Sequence, residues 1–369
     1  MGSDRRAALA LTCFMAEYGW PLRVPAGKMT IRELWSCPDR LLAGLLKLPA
    51  AETWRIEAFR RSFSAGQMFE ELRRKDVTLV TLGEEGYPPC LAEIHDPPLA
   101  IFFKGSTDRL DEFMRQPRLA IVGARRASLY GIDAATALAG GLSRHGVCVI
   151  SGMAFGIDSA AHRGALESRG GTIAVLGCGP DVVYPVTNRL LYASLLESGL
   201  VISEYPPGTR PRPWRFPARN RIISGLSRGV VVVEAKEKSG ALITADFALD
   251  QGRDVFAVPG SIFSDLSIGP NRLVRGGATI VTGAGDILEE YGMELESTQE
   301  KSVRETPQDL EENEKLVLKA TSERPRHQDE LAARSGVDGA STAAALVSLE
   351  IRGLLKFEQG HGFRRSNSS

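Results

Sequence analysis

The sequence predicts an α/β protein: a doubly wound, mostly parallel sheet, preceded by a helical N-terminal domain and followed by a small C-terminal winged-helix domain. Three observations predict it. From about residue 118, short apolar runs alternate with glycines and helical segments. Those runs are nearly unbroken Val, Ile, Leu and Ala, as strands covered on both faces are. After a polar stretch, the tail repeats a helix, a helix-turn-helix and a short hairpin, which is a winged-helix outline.

Residues 1–75 read as helices. Leu9, Leu11, Phe14 and Met15 give the first an apolar face, which ends at Tyr18-Gly19-Trp20-Pro21. Thr30-Ile31-Arg32-Glu33 fits a capping box, and further helices are expected over 41–47 and 51–73. The next domain, 76–293, opens with a proline-rich stretch containing a β-type run at Leu99–Phe103. Strands follow at Leu119–Val122, Val147–Ile150, Thr172–Leu176, Leu200–Ser203, Val230–Val233, Val255–Val258 and Ala278–Val281, with helices between them. A ligand is expected at the carboxyl ends of those strands. Residues 294–313 read as a linker and 314–365 as the winged-helix domain. Its third helix, near Thr342–Glu350, carries no basic residue, so protein contact or packing suits it better than a duplex groove.

Composition narrows the function classes. At 369 residues, 43% hydrophobic and 24% charged, the chain is a globular protein of more than one domain. No apolar run reaches membrane-spanning length, and the first residues lack a secretory h-region, so a cytoplasmic protein with no membrane role is expected. The five cysteines form no Cys-x-x-Cys pair and no zinc-type spacing with histidine, which predicts free thiols and no metal. Net charge is zero, so any nucleic-acid function needs a concentrated patch.

Such a patch exists. Arg210, Arg212, Arg215, Arg219, Arg221 and Arg228 fall between Tyr205 and Gly229 with Trp214 and Phe216 among them and no acidic residue. Arginines neutralise phosphates and aromatic rings stack on unpaired bases. The plainer alternative makes the rings core and the arginines a solvated face, but the local prolines predict an ordered loop instead of a helix. Glycine-rich turns after strands add backbone donors at helix N-termini. One is Gly123-Ala124-Arg125-Arg126-Ala127-Ser128, where Arg125 and Ser128 suit a phosphate. Ser151-Gly152-Met153-Ala154-Phe155-Gly156-Ile157-Asp158 is a second, with Ser151 and Gly152 as donors and Asp158 as a helix cap. Ser239-Gly240-Ala241-Leu242-Ile243-Thr244 is a third. His162 reads as a packed histidine. Glu234, at a strand end, is a general-base candidate with no nucleophile beside it.

Together these loops resemble the DprA (Smf) family of DNA-processing proteins. The likeness is carried by Ile121-Val122-Gly123-Ala124-Arg125 with Ser128 and Tyr130-Gly131, and by Ser151–Asp158 with Ala161-His162. Phe216-Pro217-Ala218-Arg219-Asn220-Arg221-Ile222-Ile223, Ser239–Ala245 and Val258-Pro259-Gly260 complete it. The resemblance implies an extended Rossmann fold that binds single-stranded DNA without catalysis or cofactor. It also implies a role in natural transformation and recombination, with the RecA recombinase loaded and single-strand-binding protein displaced, and a homodimer formed through this domain. By residue match, Arg125 and Ser128 would hold one phosphate and Ser151 and Gly152 another. Phe216 would stack near a base, with Arg219, Asn220 and Arg221 lining the same pocket. Gly123, Ser239, Gly240 and Thr244 complete the expected nucleic-acid-binding set. Ala124 departs from the family's usual serine, and so removes one donor.

Rival readings stay open. A nucleotide-binding hydrolase of the phosphoribohydrolase kind has a similar sheet, but its Pro-Gly-Gly-x-Gly-Thr stretch is absent here. A dehydrogenase would need Gly-x-Gly-x-x-Gly where Gly123-Ala124-Arg125 stands. A protein-interaction scaffold with vestigial phosphate loops is the third.

Overall fold

A computed structural model of the chain describes residues 2–19, 29–105, 107–168, 170–293, 310–322, 325–358 and 362–365. Its contacts divide the chain into two compact units, 1–295 and 296–369. Most of the expected linker (294–309), the Trp20-Pro21 helix end and Gly360-His361 of the hairpin turn lie outside the described residues.

The first unit is built on nine strands: β1 (Thr78–Thr81), β2 (Ala100–Lys104), β3 (Arg118–Val122), β4 (Cys148–Ser151), β5 (Thr172–Leu176), β6 (Leu200–Ser203), β7 (Gly229–Val232), β8 (Asp254–Ala257) and β9 (Thr279–Ile280). Their order is β1-β2-β6-β5-β4-β3-β7-β8-β9. From β6 to β9 every pairing is parallel, while β1 and β2 form an antiparallel edge. Alternation along β3 shows how both faces are used. Leu119 and Ile121 pack under the helices Leu129–Arg144 and Ile157–Leu166, with Leu138, Leu142 and Ile157. Ala120 and Val122 face the helices Arg215–Leu226 and Gly240–Asp250, with Ile222, Leu226 and Ala245. Strands buried on both sides need apolar residues at every position, which is the unbroken pattern the sequence carries.

The N-terminal helices, Ser3–Tyr18, Ile31–Ser36, Asp39–Leu45, Trp54–Ser62 and Ala65–Arg74, share a core with β1 and β2. Leu9, Phe14, Leu42 and Ile56 meet Leu79, Leu99 and Phe102 there. The Thr30 capping box forms, with Glu33 N–H donating to Thr30 Oγ1 at 3.2 Å and Thr30 N–H to Glu33 Oε2 at 2.8 Å. The single helix expected over 51–73 is two. Chain direction changes at Phe63-Ser64, where Ser64 Oγ accepts from Gln67 N–H and starts the second helix.

In the second unit, helices Glu312–Ala320, Gln328–Ser335 and Gly339–Ile351 precede two antiparallel strands, β10 (Leu355–Glu358) and β11 (Gly362–Arg365). Val317, Leu331, Leu346, Leu349 and Leu355 form its core. Asp338 caps the third helix by accepting from Ala340 and Ser341 N–H, both at 3.1 Å. No helix among the described residues is long and apolar enough to cross a membrane.

Candidate nucleic-acid interface

Strand order reverses at β3. β4, β5 and β6 follow on one side of it, and β7, β8 and β9 on the other. The carboxyl ends of β3 and β7 therefore flank the crevice that a doubly wound sheet offers a ligand. A cavity of about 360 Å³ opens at this point. Gly123 and Arg125 line it from the turn after β3. Phe216, Arg219 and Asn220 come from the first turns of the helix Arg215–Leu226, and Ser239, Gly240 and Thr244 from the turn after β7. The crevice also collects Arg126, Lys236 and Lys238, with Asp158 as its one lining carboxylate. The two lysines escape a sequence reading because Glu237 stands between them and dilutes the run.

Charge and aromatic surface meet on Phe216. The Arg125 guanidinium lies over its ring, 5.3 Å from the centroid, and the Tyr184 ring stacks against it at 5.2 Å with 28° between planes. Tyr184 belongs to the loop after β5, and no charge pattern around it signals a site. Beneath them Arg219 is almost fully buried and donates from Nη1 to the Gly152 carbonyl at 3.1 Å, while its Nε has no partner. Burial lowers the Arg219 pKa, and Asp158 opposes that shift. Burial likewise raises Asp158, against the pull of Arg219 and of the Ala154 N–H that donates to it at 3.3 Å. The turns are tied together before any ligand arrives. Ile157 N–H donates to Ala124 O at 3.2 Å, and Asn220 Nδ2 to Gly240 O at 3.1 Å. At Gly156, with φ +71°, a Cβ would sit 2.3 Å from Ala124 O, so only glycine lets these two turns close. The arrangement is a rigid, cationic crevice with a ring at its wall, suited to phosphates and flat bases.

A family model described as DNA recombination-mediator protein A matches residues 78–292, and one for the DprA winged helix domain matches 301–361. The chain belongs to the DprA (Smf) family. It is 47% identical over 208 residues to the DNA processing protein DprA of Streptococcus pneumoniae, which covers 56% of this chain and 72% of that one. The X-ray structure of DprA from Streptococcus pneumoniae aligns with a TM-score of 0.64 at 34% identity, over 79% of this chain and 98% of that one. A structure of DNA processing protein A from Helicobacter pylori, which concerns that protein's single-stranded DNA binding mode, aligns with a TM-score of 0.52 at 28% identity. It covers 59% of this chain and 97% of that one. DNA processing is thus the role of the family to which the chain belongs.

Four residues expected from the DprA motifs do not reach the crevice with a free group. Ser128 donates its hydroxyl to Glu234 Oε1 at 2.5 Å and its N–H to Glu234 Oε2 at 2.9 Å, so the carboxylate holds the helix N-terminus where a phosphate was expected. Ser151 is fully buried and donates to the Ile121 carbonyl at 2.7 Å. Gly152 seats Arg219, because a Cβ there would stand 2.4 Å from Nη2. Arg221 faces away from the crevice. It forks onto Glu204 at 2.9 and 2.7 Å and reaches the Asp96 carbonyl, lining a separate cavity beside Trp214 and the first helix.

Other expectations in the arginine stretch also change. Arg215–Leu226 is a helix, not a loop, because Pro217 falls in its first turn, where the N–H groups have no intrahelical partner to lose. Arg215 is buried between Tyr205 and Trp214 and donates to Arg210 O and to Ala16 O of the first helix, both at 2.6 Å. Arg228 lies over the Tyr291 ring at 3.9 Å. Asp158 sits inside the helix whose N-cap is Gly156, so it is not itself the cap. His162 is packed as expected: Nε2 accepts from Met153 N–H at 3.3 Å, and Nδ1 meets Thr172 Oγ1 at 2.7 Å.

Proposed function

We propose that this chain holds single-stranded DNA in the crevice between β3 and β7 without making or breaking a bond. Arg125, Arg126, Lys236 and Lys238 take phosphates, Arg219 supplies a buried positive field beneath them, and a base leans on Phe216. The observation that carries this reading is the convergence of these cations around Phe216 at the switch point of the sheet. Two groups that could serve an enzyme as a base, Glu234 and His162, are spent on Ser128 and on Met153 with Thr172. Family membership supports extending the role to loading RecA, exchanging with single-strand-binding protein, and acting as a cytoplasmic homodimer in transformation or recombination.

The test is binding of a fluorescent single-stranded oligonucleotide and of the matching duplex across a salt series, with Arg125→Glu as control. With about five phosphates neutralised, log K should fall against log salt with a slope near −3.5. The variant should weaken every sequence alike. Wild-type affinity that ignores both salt and the variant would reject the reading. One observation favours a second reading, a nucleotide hydrolase: Asp158 is a lining carboxylate whose pKa burial has raised. Release of free base from nucleoside monophosphates, abolished by Asp158→Asn, would establish that instead.

A further inference from the structure

Phe216 is not the outermost ring of the crevice. Tyr184 stacks on it and is 38% exposed, at the start of a segment that continues outward through Val186 and Leu190, which are 74% and 78% exposed. Phe155, 47% exposed on the turn after β4, adjoins the Arg125 turn through Gly156, where a Cβ would stand 2.8 Å from Arg125 O. Large apolar groups left in water on a rigid surface mark a contact site. This surface is rigid from below. Asn188 Nδ2 donates to Met153 O at 3.0 Å and to Ser159 Oγ at 2.9 Å, fastening the loop after β5 to the turn after β4. Asp181 accepts from Gly208 N–H at 2.7 Å and pairs with Lys75 at 2.8 Å, and Tyr192 donates to Pro180 O at 2.6 Å. Arg189 is exposed between the apolar residues.

We propose that this loop is a second stacking platform, onto which the bases of a single strand pass from Phe216 to Tyr184 while Arg189 takes a phosphate. The occupant follows from continuity. Tyr184 touches the ring that Arg125 covers, so a ligand leaving the crevice on the β5 side meets Tyr184 next. Rings joined in this way accept any base, since every base has a flat face, and an interleaved arginine serves the backbone. The proposal rests on the single-strand reading of the crevice and lengthens its footprint toward β5.

The test uses the full chain and thymidine oligomers of about 5 and about 15 nucleotides, the longer one also with abasic sites at one end. Tyr184→Ala should weaken the intact long oligomer about tenfold, the loss of one stacked base. It should also narrow the affinity gap between long and short and shrink the cost of the abasic sites, whereas Tyr184→Phe should keep both. Arg189→Glu should flatten the salt slope on the long oligomer. Equal losses on both oligomers, with the abasic cost intact, would mean that Tyr184 only props Phe216, and the platform would fall. If wild-type protein binds neither oligomer, the crevice reading itself fails, and the platform with it.

Discussion

Glu234 grips Ser128 twice, accepting its backbone N–H at 2.9 Å and its hydroxyl at 2.5 Å across 106 residues of sequence. The carboxylate therefore satisfies donors at the start of the helix Leu129–Arg144 that would otherwise be free to hold an anion. Gly131 makes the approach possible, since a Cβ there would lie 2.3 Å from Glu234 Oε2. In the proposed function, phosphate contact therefore falls to the side chains around Arg125 instead.

Removing that carboxylate should expose the site it fills. Glu234→Ala should cost about 2–3 kcal/mol in denaturant unfolding, as the loss of hydrogen bonds accepted by a buried carboxylate does. Inorganic phosphate should then raise the melting temperature of the variant by more than it raises that of the wild type. A variant indifferent to phosphate would show that the carboxylate does not stand in an anion position.

Gly152 and Arg219 should behave as one unit. Gly152→Ala places a methyl group where the Arg219 Nη2 sits and should evict the guanidinium, at about 1–3 kcal/mol. Once Arg219 is alanine, adding Gly152→Ala should cost little, because the clash has gone. Additive losses in unfolding titrations would refute the seating.

The third expectation concerns acid. Burial pushes His162 down to about 3 from its ordinary 6.5. A depressed pKa contributes stability above the unfolded value and loses it as pH falls from 6.5 toward 3, at about 1.4 kcal/mol per pH unit. The geometry gives the reason. Nε2 accepts from Met153 N–H, and Thr172 spends its own hydroxyl proton on Val149 O, so the imidazole fits only as the neutral Nδ1–H form. Unfolding free energies at about pH 7.5 and about pH 5 should diverge in wild type and converge in His162→Gln. Parallel behaviour of the two proteins would place the acid sensitivity elsewhere.

Much of this is legible in the amino-acid sequence. The strands from β3 to β8 announce themselves because burial on both faces demands apolar residues throughout. β1 does not, because it is an antiparallel edge of four residues with only alternate positions buried. The crevice residues on glycine turns are legible for a similar reason, since close backbone approach leaves glycine in the sequence. What the sequence hides is which charges are already spent. Ser128 and Glu234 look independent at 106 residues apart, and Arg221 gives no local sign of Glu204 or of Asp96, 125 residues earlier. A run of six arginines reads as one patch, yet folding sends Arg215, Arg221 and Arg228 to separate structural tasks.

Arg215 bears on how the protein can be cut. The family match begins at residue 78, and a fragment starting there would keep every crevice residue. It would also strip the Ala16 carbonyl from a buried guanidinium directly beside Phe216. The helix that presents Phe216 and Arg219 would then begin on a buried guanidinium left with the Arg210 carbonyl as its hydrogen-bond acceptor. The N-terminal segment is in this sense a splint for the crevice, and a dissection of the chain that discards it would report on a loosened instrument.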